Sequence, residues 1–182
     1  MNILLAFVPF LTFALLERSV GAHGALLAAT VVSALLVIRD TMIRHKSLKL
    51  LEGGSLVLFA ALTIASRFSQ SHLSMIGVRL WVDACLLAMV AGSLLIGRPF
   101  TLQYARERVS SEIAAGGRFR RVNMMLSAAW ALAFAVIVAA DASMLYVAGF
   151  TPVAGTIVIV AALAAAALFT SWLPRAARRT AQ

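Results

Sequence analysis

The stretch Leu73–Gly97 reads LSMIGVRLWVDACLLAMVAGSLLIG. It is long enough to cross a bilayer, which takes about 20 apolar residues in a helix rising roughly 1.5 Å per residue. Yet it carries Arg79 and Asp83, four residues apart. Each charge inside such a span costs roughly 2.5–3.5 kcal/mol on insertion scales, so two together call for an explanation. Counted from Leu73, Arg79 lies about 9 Å into the helix and Asp83 about 15 Å, near the midplane. At i, i+4 they share one face and neutralise each other, with Trp81 between them on another face. Two readings follow. A self-paired couple that also bonds a neighbouring helix would fix packing. An element of a proton or ion pathway, or a counter-ion for a bound headgroup, would carry function.

The rest of the chain is of the same kind. Of 182 residues, 62% are hydrophobic and only 13% charged. A soluble domain is about half apolar and roughly a quarter charged. Too little polar surface remains to cover a water-soluble globule. The expected fold class is all-α: a polytopic helical membrane protein forming a single membrane domain over 1–182. Six apolar runs cover 3–16, 20–38, 50–68, 73–97, 122–140 and 144–173. The first is short for a full crossing, and Pro9 is expected to kink it. If it lies in the interface instead, five spans remain. The sixth is long enough to be tilted or broken, with Gly149, Pro152 and Gly155 marking a break near its start. Residues 1–16 hold no Lys or Arg. The basic region of a signal peptide is thus missing, and the first run reads as a retained helix.

A net charge of +9 would suggest nucleic acid for a soluble protein. Here the basic residues fall between the runs, so they set orientation in a membrane, and no nucleic-acid partner is expected. One linker holds Arg39, Arg44, Lys46 and Lys49. Another holds Arg98, Arg106, Arg108, Arg118, Arg120 and Arg121, and the tail holds Arg175, Arg178 and Arg179. The opposite linkers hold only Arg18 and Arg67. The positive-inside rule puts both termini and the two basic loops in the cytoplasm. The six arginines of the second loop are then placed to contact headgroups of an anionic inner leaflet. Within that loop Pro99 ends the fourth run and Thr101 offers an N-cap. Leu102, Val109 and Ile113 fall on one face before Gly116-Gly117. The pattern predicts a cytoplasmic interfacial helix over about 101–115.

Small residues recur every four positions: Gly21, Ala25, Ala29 and Ser33; Ala84, Ala88 and Gly92; Ser127, Ala131, Ala135 and Ala139. This spacing lets helix backbones approach closely, within one chain or between copies in a homo-oligomer. Glu52, one turn from Lys49, reads as an interfacial ion pair. Asn123 opens the fifth run and is placed to bond across helices. Glu17, Arg18 and Asp141 read as span ends facing headgroups or water. His23, His45 and His72 are never paired at ligand spacing, and Cys85 is the only cysteine, so no metal site and no cofactor are expected. No phosphate loop, serine-nucleophile motif or aspartate cluster is present, so no catalytic residue is assigned.

The segment Arg120-Arg121-Val122-Asn123-Met124-Met125-Leu126-Ser127-Ala128-Ala129-Trp130-Ala131-Leu132-Ala133-Phe134 resembles the intracellular septation protein A family, or a sister group of bacterial membrane proteins. There a basic linker precedes an Asn, a Trp-Ala and a Phe-rich span. Phe7-Val8-Pro9-Phe10-Leu11-Thr12-Phe13 is similar to its proline-containing first span, and Gly97-Arg98-Pro99-Phe100 to its short cytoplasmic linker. The resemblance implies an inner-membrane protein of cell-envelope integrity and division, acting through other envelope membrane proteins rather than by catalysis. Arg79 and Asp83 lie outside the stretches that carry it. They keep a different expectation open, a small solute or ion transporter or channel. An intramembrane enzyme acting on lipid is a third expectation.

Overall fold

The computed structural model describes residues 3–43, 49–68 and 74–179. Every element among them is helical. In chain order these are α1 (Ile3–Ala6), α2 (Val8–Ile38) continuing into a π-turn (Arg39–Ile43), α3 (Leu50–Phe68) and α4 (Met75–Leu95). Then come α5 (Phe100–Ala105), a 3-10 turn (Arg106–Arg108), α6 (Ser111–Ala115), α7 (Gly117–Tyr146) and α8 (Pro152–Arg179). Five stretches are long and apolar enough to cross a membrane: Val8–Met42, Leu50–Phe68, Met75–Leu95, Gly117–Tyr146 and Pro152–Leu173. Large apolar side chains such as Leu15, Phe68, Trp81, Leu95 and Leu168 stand exposed along them. Helices suit this environment because they satisfy their backbone hydrogen bonds internally, which lipid cannot do for them. The fold is that of an all-helical, multi-pass membrane protein.

The chain forms two compact units, 1–85 and 86–182, with the boundary inside α4. In unit 1, α2 is not one rod. Gly21 sits at φ 76°, ψ 169°, a conformation open to glycine and almost closed to residues with a Cβ. Beyond it, residues 22–38 pair with α3. The Thr30 and Thr63 hydroxyls meet at 3.0 Å, and His23 Nδ1 and Ser66 Oγ at 2.7 Å. This pairing is antiparallel, so Phe59 lies beyond the level of Thr30. Yet the Phe10 and Phe13 rings lie 5.1 and 6.1 Å from the Phe59 ring. A straight helix would hold Phe10 about 30 Å from Thr30 and farther still from the residues opposite Phe59. The chain therefore doubles back at Gly21. The expected kink at Pro9 is not the break: Pro9 sits in the first turn of α2, where its missing N–H costs nothing.

Residues 22–38 meet α3 through Ala25, Ala29 and Ser33, all fully buried. The small-residue series of the second run is thus an internal packing face. The α4 series is not, and the α7 series packs internally only at Ser127. Ala88, Ala135 and Ala139 are exposed, and a Cβ added at Gly92 would meet nothing within 4 Å. Their helices bury larger side chains instead: Val78, Val82, Leu86 and Val90 on α4, and Leu126, Trp130, Phe134 and Ile137 on α7. Larger side chains supply more dispersion contact where backbones stay farther apart.

In unit 2, α7 packs against α8 and α5. Gly155 leaves room for Met144, whose Sδ and Cγ occupy the space a Cβ would take. The expected turn at 141–143 is helical, because α7 runs on to Tyr146. The chain turns at 147–151 instead, where Gly149 adopts φ 85° and Pro152 opens α8. The turn chemistry of Gly149 and Pro152 wins over the charge of Asp141. The expected helix over 101–115 is three short pieces, with Val109 and Ser110 extended between the last two. Leu102 is buried and Ile113 is 55% exposed, so they do not share one lipid-facing stripe. Pro99, not Thr101, holds the N-cap position of α5. Thr101 lies inside that helix because its hydroxyl is used elsewhere.

Candidate functional sites

The first site lies at the Gly21 end of unit 1. Arg79 Nε stands 3.8 Å from Asp83 Oδ2, so the pair read from the sequence is met. A third member joins it. Arg79 Nη1 stands 3.6 Å from Glu17 Oε1. Glu17 is buried rather than facing headgroups or water, because the reversal at Gly21 lays residues 8–20 back along the unit. Two carboxylates thus share one guanidinium, and Arg79 and Asp83 are not a closed pair. Both contacts are longer than the ~2.7–2.9 Å of a charge-assisted hydrogen bond, so they are ion pairs in a low-dielectric setting. Counted from Met75, where α4 begins, Arg79 is about 6 Å and Asp83 about 12 Å into the helix. His23 and Ser66 share their hydrogen bond at the same end of α2 and α3.

The second site lies at the other end of the α2–α3 pair. Asp40, Lys49 and Glu52 are all at least 97% buried. Lys49 Nζ stands 3.6 Å from Glu52 Oε1, so the expected ion pair forms, but inside the unit rather than at an interface. Arg39 Nε donates to Asp40 Oδ1 at 2.9 Å. The Asp40 and Glu52 carboxylates lie within electrostatic reach of each other. Lys49 is the partner of the Glu52 carboxylate through both its ammonium and its backbone N–H, whereas Asp40 Oδ2 accepts no hydrogen bond. Burying such groups is costly unless something satisfies them. Asp40 is not singled out by sequence, where it reads as one more charge in a basic linker. Only the π-turn and the packing of α2 on α3 carry it inside.

Unit 2 builds a different kind of site. Thr101 Oγ1 donates to the Asn123 carbonyl at 2.8 Å and lies 2.8 Å from Ser127 Oγ. The Thr101 N–H donates to Ser127 Oγ at 3.3 Å, and the Phe100 N–H to Ser93 Oγ at 3.2 Å. Arg120 Nη2 reaches the Gly97 carbonyl at 3.2 Å. Farther along α7, Trp130 Nε1 donates to Thr170 Oγ1 of α8 at 2.9 Å, with the Trp130 and Phe134 rings 5.6 Å apart. The Asn123 side chain bonds the Phe119 carbonyl of its own helix, so its expected cross-helix role falls to its backbone carbonyl. Around this knot Arg98, Arg106, Arg118, Arg120 and Arg121 are exposed. Asp141, expected near water, is buried within α7.

Arg44, His45, Lys46 and His72 lie outside the described residues, as do the side chains of Arg108, Arg175, Arg178 and Arg179. Among the described residues no group of three His, Cys, Asp or Glu is placed to hold a metal ion. An open hollow of about 510 Å³ on α8, lined by Ala165, Leu168, Phe169, Ser171 and Trp172, is mostly apolar and suits a lipid chain better than a polar reactant. Comparison of the chain with protein-family models, with curated proteins and with solved structures finds no match in any of the three.

Proposed function

We propose that the chain is a bacterial inner-membrane protein that organises or maintains the cell envelope through partners, without catalysing a reaction. The observation that carries this reading is the knot in unit 2. Two of the stretches behind the septation-protein resemblance, 97–100 and 120–134, converge there through Arg120 on Gly97 and through Thr101 on Asn123 and Ser127. The result is a braced platform with arginines on its outside. Such a surface fits anionic headgroups, and the flank of another envelope membrane protein or a second copy of the chain. In this reading residues 8–20 and 22–38 cross separately, giving six crossings with both termini cytoplasmic and α5–α6 along the inner leaflet.

Two experiments test it. In a Cys85→Ser background, membrane-impermeant thiol reagent added outside should label Ser19→Cys, Ser74→Cys and Ala148→Cys and spare Ser111→Cys. Labelling of Ser111→Cys overturns the orientation, and protection of Ser19→Cys overturns the sixth crossing. In a host lacking the chain, cell length and dye permeability should change and be restored by the wild type, but not by Arg98, Arg118 and Arg121 all changed to Gln. Full rescue by that variant removes the platform from function.

A second reading is favoured by Glu17. Its carboxylate is brought onto Arg79 beside Asp83, a third charged group within an apolar unit that a self-paired structural couple does not need. Unit 1 is then a transport element for a small solute or ion.

A further inference from the structure

The outer face of the unit 2 platform is not uniform. At one corner the fold places two arginines from distant parts of the sequence beside each other, and a braced turn builds that corner. α4 ends at Leu95, and Gly97 takes φ 71°, which glycine adopts without strain. The Gly97 N–H donates to the Leu94 carbonyl and the Arg98 N–H to the Ser93 carbonyl, both at 2.9 Å. This is the crossed pair of bonds that closes a helix on a left-handed glycine. The buried Ser93 Oγ accepts the Phe100 N–H beyond Pro99, so the turn is stapled from its far side too. The Gly97 carbonyl is taken by Arg120, whose Nη2 donates to it at 3.2 Å. A Cβ at Gly97 would stand 3.3 Å from that same nitrogen. Arg120 is thereby held one peptide unit from Arg98.

We propose that Arg98 and Arg120, set by the Gly97 turn, clamp the phosphodiester of one anionic phospholipid of the phosphatidylglycerol class. This rests on the platform reading above and names what one corner of the platform holds. Both arginines are exposed. Among the described residues Arg98 has no side-chain partner, and Arg120 has only the Gly97 carbonyl, which takes one of its five N–H donors. The planar fork of a guanidinium matches two oxygens of a phosphate at once. Helix stability does not account for these arginines. α7 opens with Arg118, Arg120 and Arg121 and has no acidic residue in its first turn, an arrangement that the helix dipole disfavours. An anion held at Arg120 offsets that repulsion.

A lipid fits the corner better than a free phosphate. Leu95 and Ile96, directly ahead of the turn, are 89% and 75% exposed. An apolar pair beside two phosphate-binding arginines matches the acyl chains and glycerol of a lipid, whereas a soluble phosphate uses the arginines alone. α4 is long and apolar enough to cross a membrane, and in the platform reading its end lies at headgroup depth. Arg121, exposed and next to Arg120 in the chain, repels the ammonium of phosphatidylethanolamine and favours a headgroup without one. Orientation in the membrane would be served by lysine as well as by arginine. A phosphate clamp would not, since lysine offers a point charge in place of the fork. Arginine-to-lysine exchanges therefore separate the two without altering charge or topology.

The test uses the full chain in dodecyl maltoside, titrated with dioleoylphosphatidylglycerol, dioleoylphosphatidylethanolamine or glycerol 3-phosphate. Native mass spectrometry reads the bound molecules, and the melting temperature reads the linked gain in stability. Wild type should hold one phosphatidylglycerol about tenfold more tightly than either of the other two. Arg98→Lys and Arg120→Lys should each lower that affinity about tenfold. Gly97→Ala, which keeps every charge but strains the turn, should lower it as well. Arg67→Lys on α3 of unit 1 should leave it unchanged. Wild-type affinity in both lysine variants at the corner overturns the clamp. Equal binding of phosphatidylethanolamine overturns it too, and so does glycerol 3-phosphate bound as tightly as phosphatidylglycerol, which assigns the corner to a soluble phosphate. The platform reading is judged apart from this by the cell-rescue experiment. Failed rescue by the Arg98, Arg118 and Arg121 to Gln variant, with no lipid selectivity in wild type, overturns the clamp and leaves the platform to a protein partner.

Discussion

Unit 1 buries charge, whereas unit 2 chiefly buries neutral polar groups. Glu17, Asp40, Lys49 and Glu52 are inside the first, and Ser93, Thr101, Asn123 and Ser127 inside the second, where Asp141 is the exception. Neutral hydroxyls and amides need one or two partners to be comfortable in an apolar setting, and unit 2 supplies them at 2.8–3.3 Å. Charges need more. The attraction of a buried pair often fails to repay the desolvation of both ions. A chain that only had to hold helices together would do so more cheaply in the manner of unit 2. That difference is the ground for the proposed second reading, in which the charges of unit 1 serve transport rather than stability.

Removing the cation at the centre of the first site should have the largest effect. Arg79→Leu takes from Glu17 and Asp83 the guanidinium that both face. Truncating one partner of a buried ionic group typically costs about 3–5 kcal/mol, so this variant should show a large loss of thermal stability in detergent. Asp83→Asn should be milder, since Arg79 keeps Glu17. Arg79→Leu with Glu17→Gln and Asp83→Asn together should recover much of the loss. If Asp83→Asn is as damaging as Arg79→Leu, Glu17 is not a true third member.

Next in size is the reversal at Gly21. A Cβ there meets no neighbour, so the cost of Gly21→Ala is backbone strain alone. Holding a non-glycine residue in this region costs about 1–3 kcal/mol. Because Glu17 reaches Arg79 only through the reversal, Gly21→Ala should also lower stability less in an Arg79→Leu, Glu17→Gln, Asp83→Asn background. Additive losses would mean that the turn and the charged site are independent.

In unit 2, Thr101→Val should cost about 1–2 kcal/mol, the usual penalty for losing a buried neutral hydrogen bond. Ser127 Oγ keeps the Thr101 N–H as a partner, which limits the damage. The measurement is again the detergent melting temperature. A loss as large as that of Arg79→Leu would erase the distinction between the units.

The all-helical, lipid-facing architecture was legible because it follows from run length and composition, which local sequence carries. The Arg79/Asp83 and Lys49/Glu52 pairs were legible for the same reason, as partners one turn apart. What sequence hid was long-range. Glu17 reads as a span end because Ser19-Val20-Gly21-Ala22 has no polar linker to announce that the chain folds back there. Asp40 and Asp141 read as solvated because a charge beside a basic residue or past an alanine run ordinarily is. Thr101 has the right residue type and place for an N-cap, and only the approach of α7 diverts its hydroxyl. Small-residue spacing was equally ambiguous: it marks a real contact face between residues 22–38 and α3, and an open one on α4.

That last contrast gives the smallest effect and the most specific one. Ala25 and Ala29 are wholly buried, so Ala29→Leu should be badly tolerated by overpacking, at about 1–3 kcal/mol. Gly92 belongs to the matching series on α4, but a methyl group added there meets open space. In a helix interior Gly is worse than Ala by roughly 0.5–1 kcal/mol, because its backbone loses more freedom on folding. Gly92→Ala should therefore leave the monomer unchanged or raise its melting temperature slightly. The result also reads the oligomeric state. If a second copy closes on α4 at this glycine, the added methyl holds the backbones apart and the variant loses stability as the dimer dissociates on dilution. A gain in stability that does not depend on protein concentration means that lipid covers Gly92, and that the small residues of α4 are not a contact face.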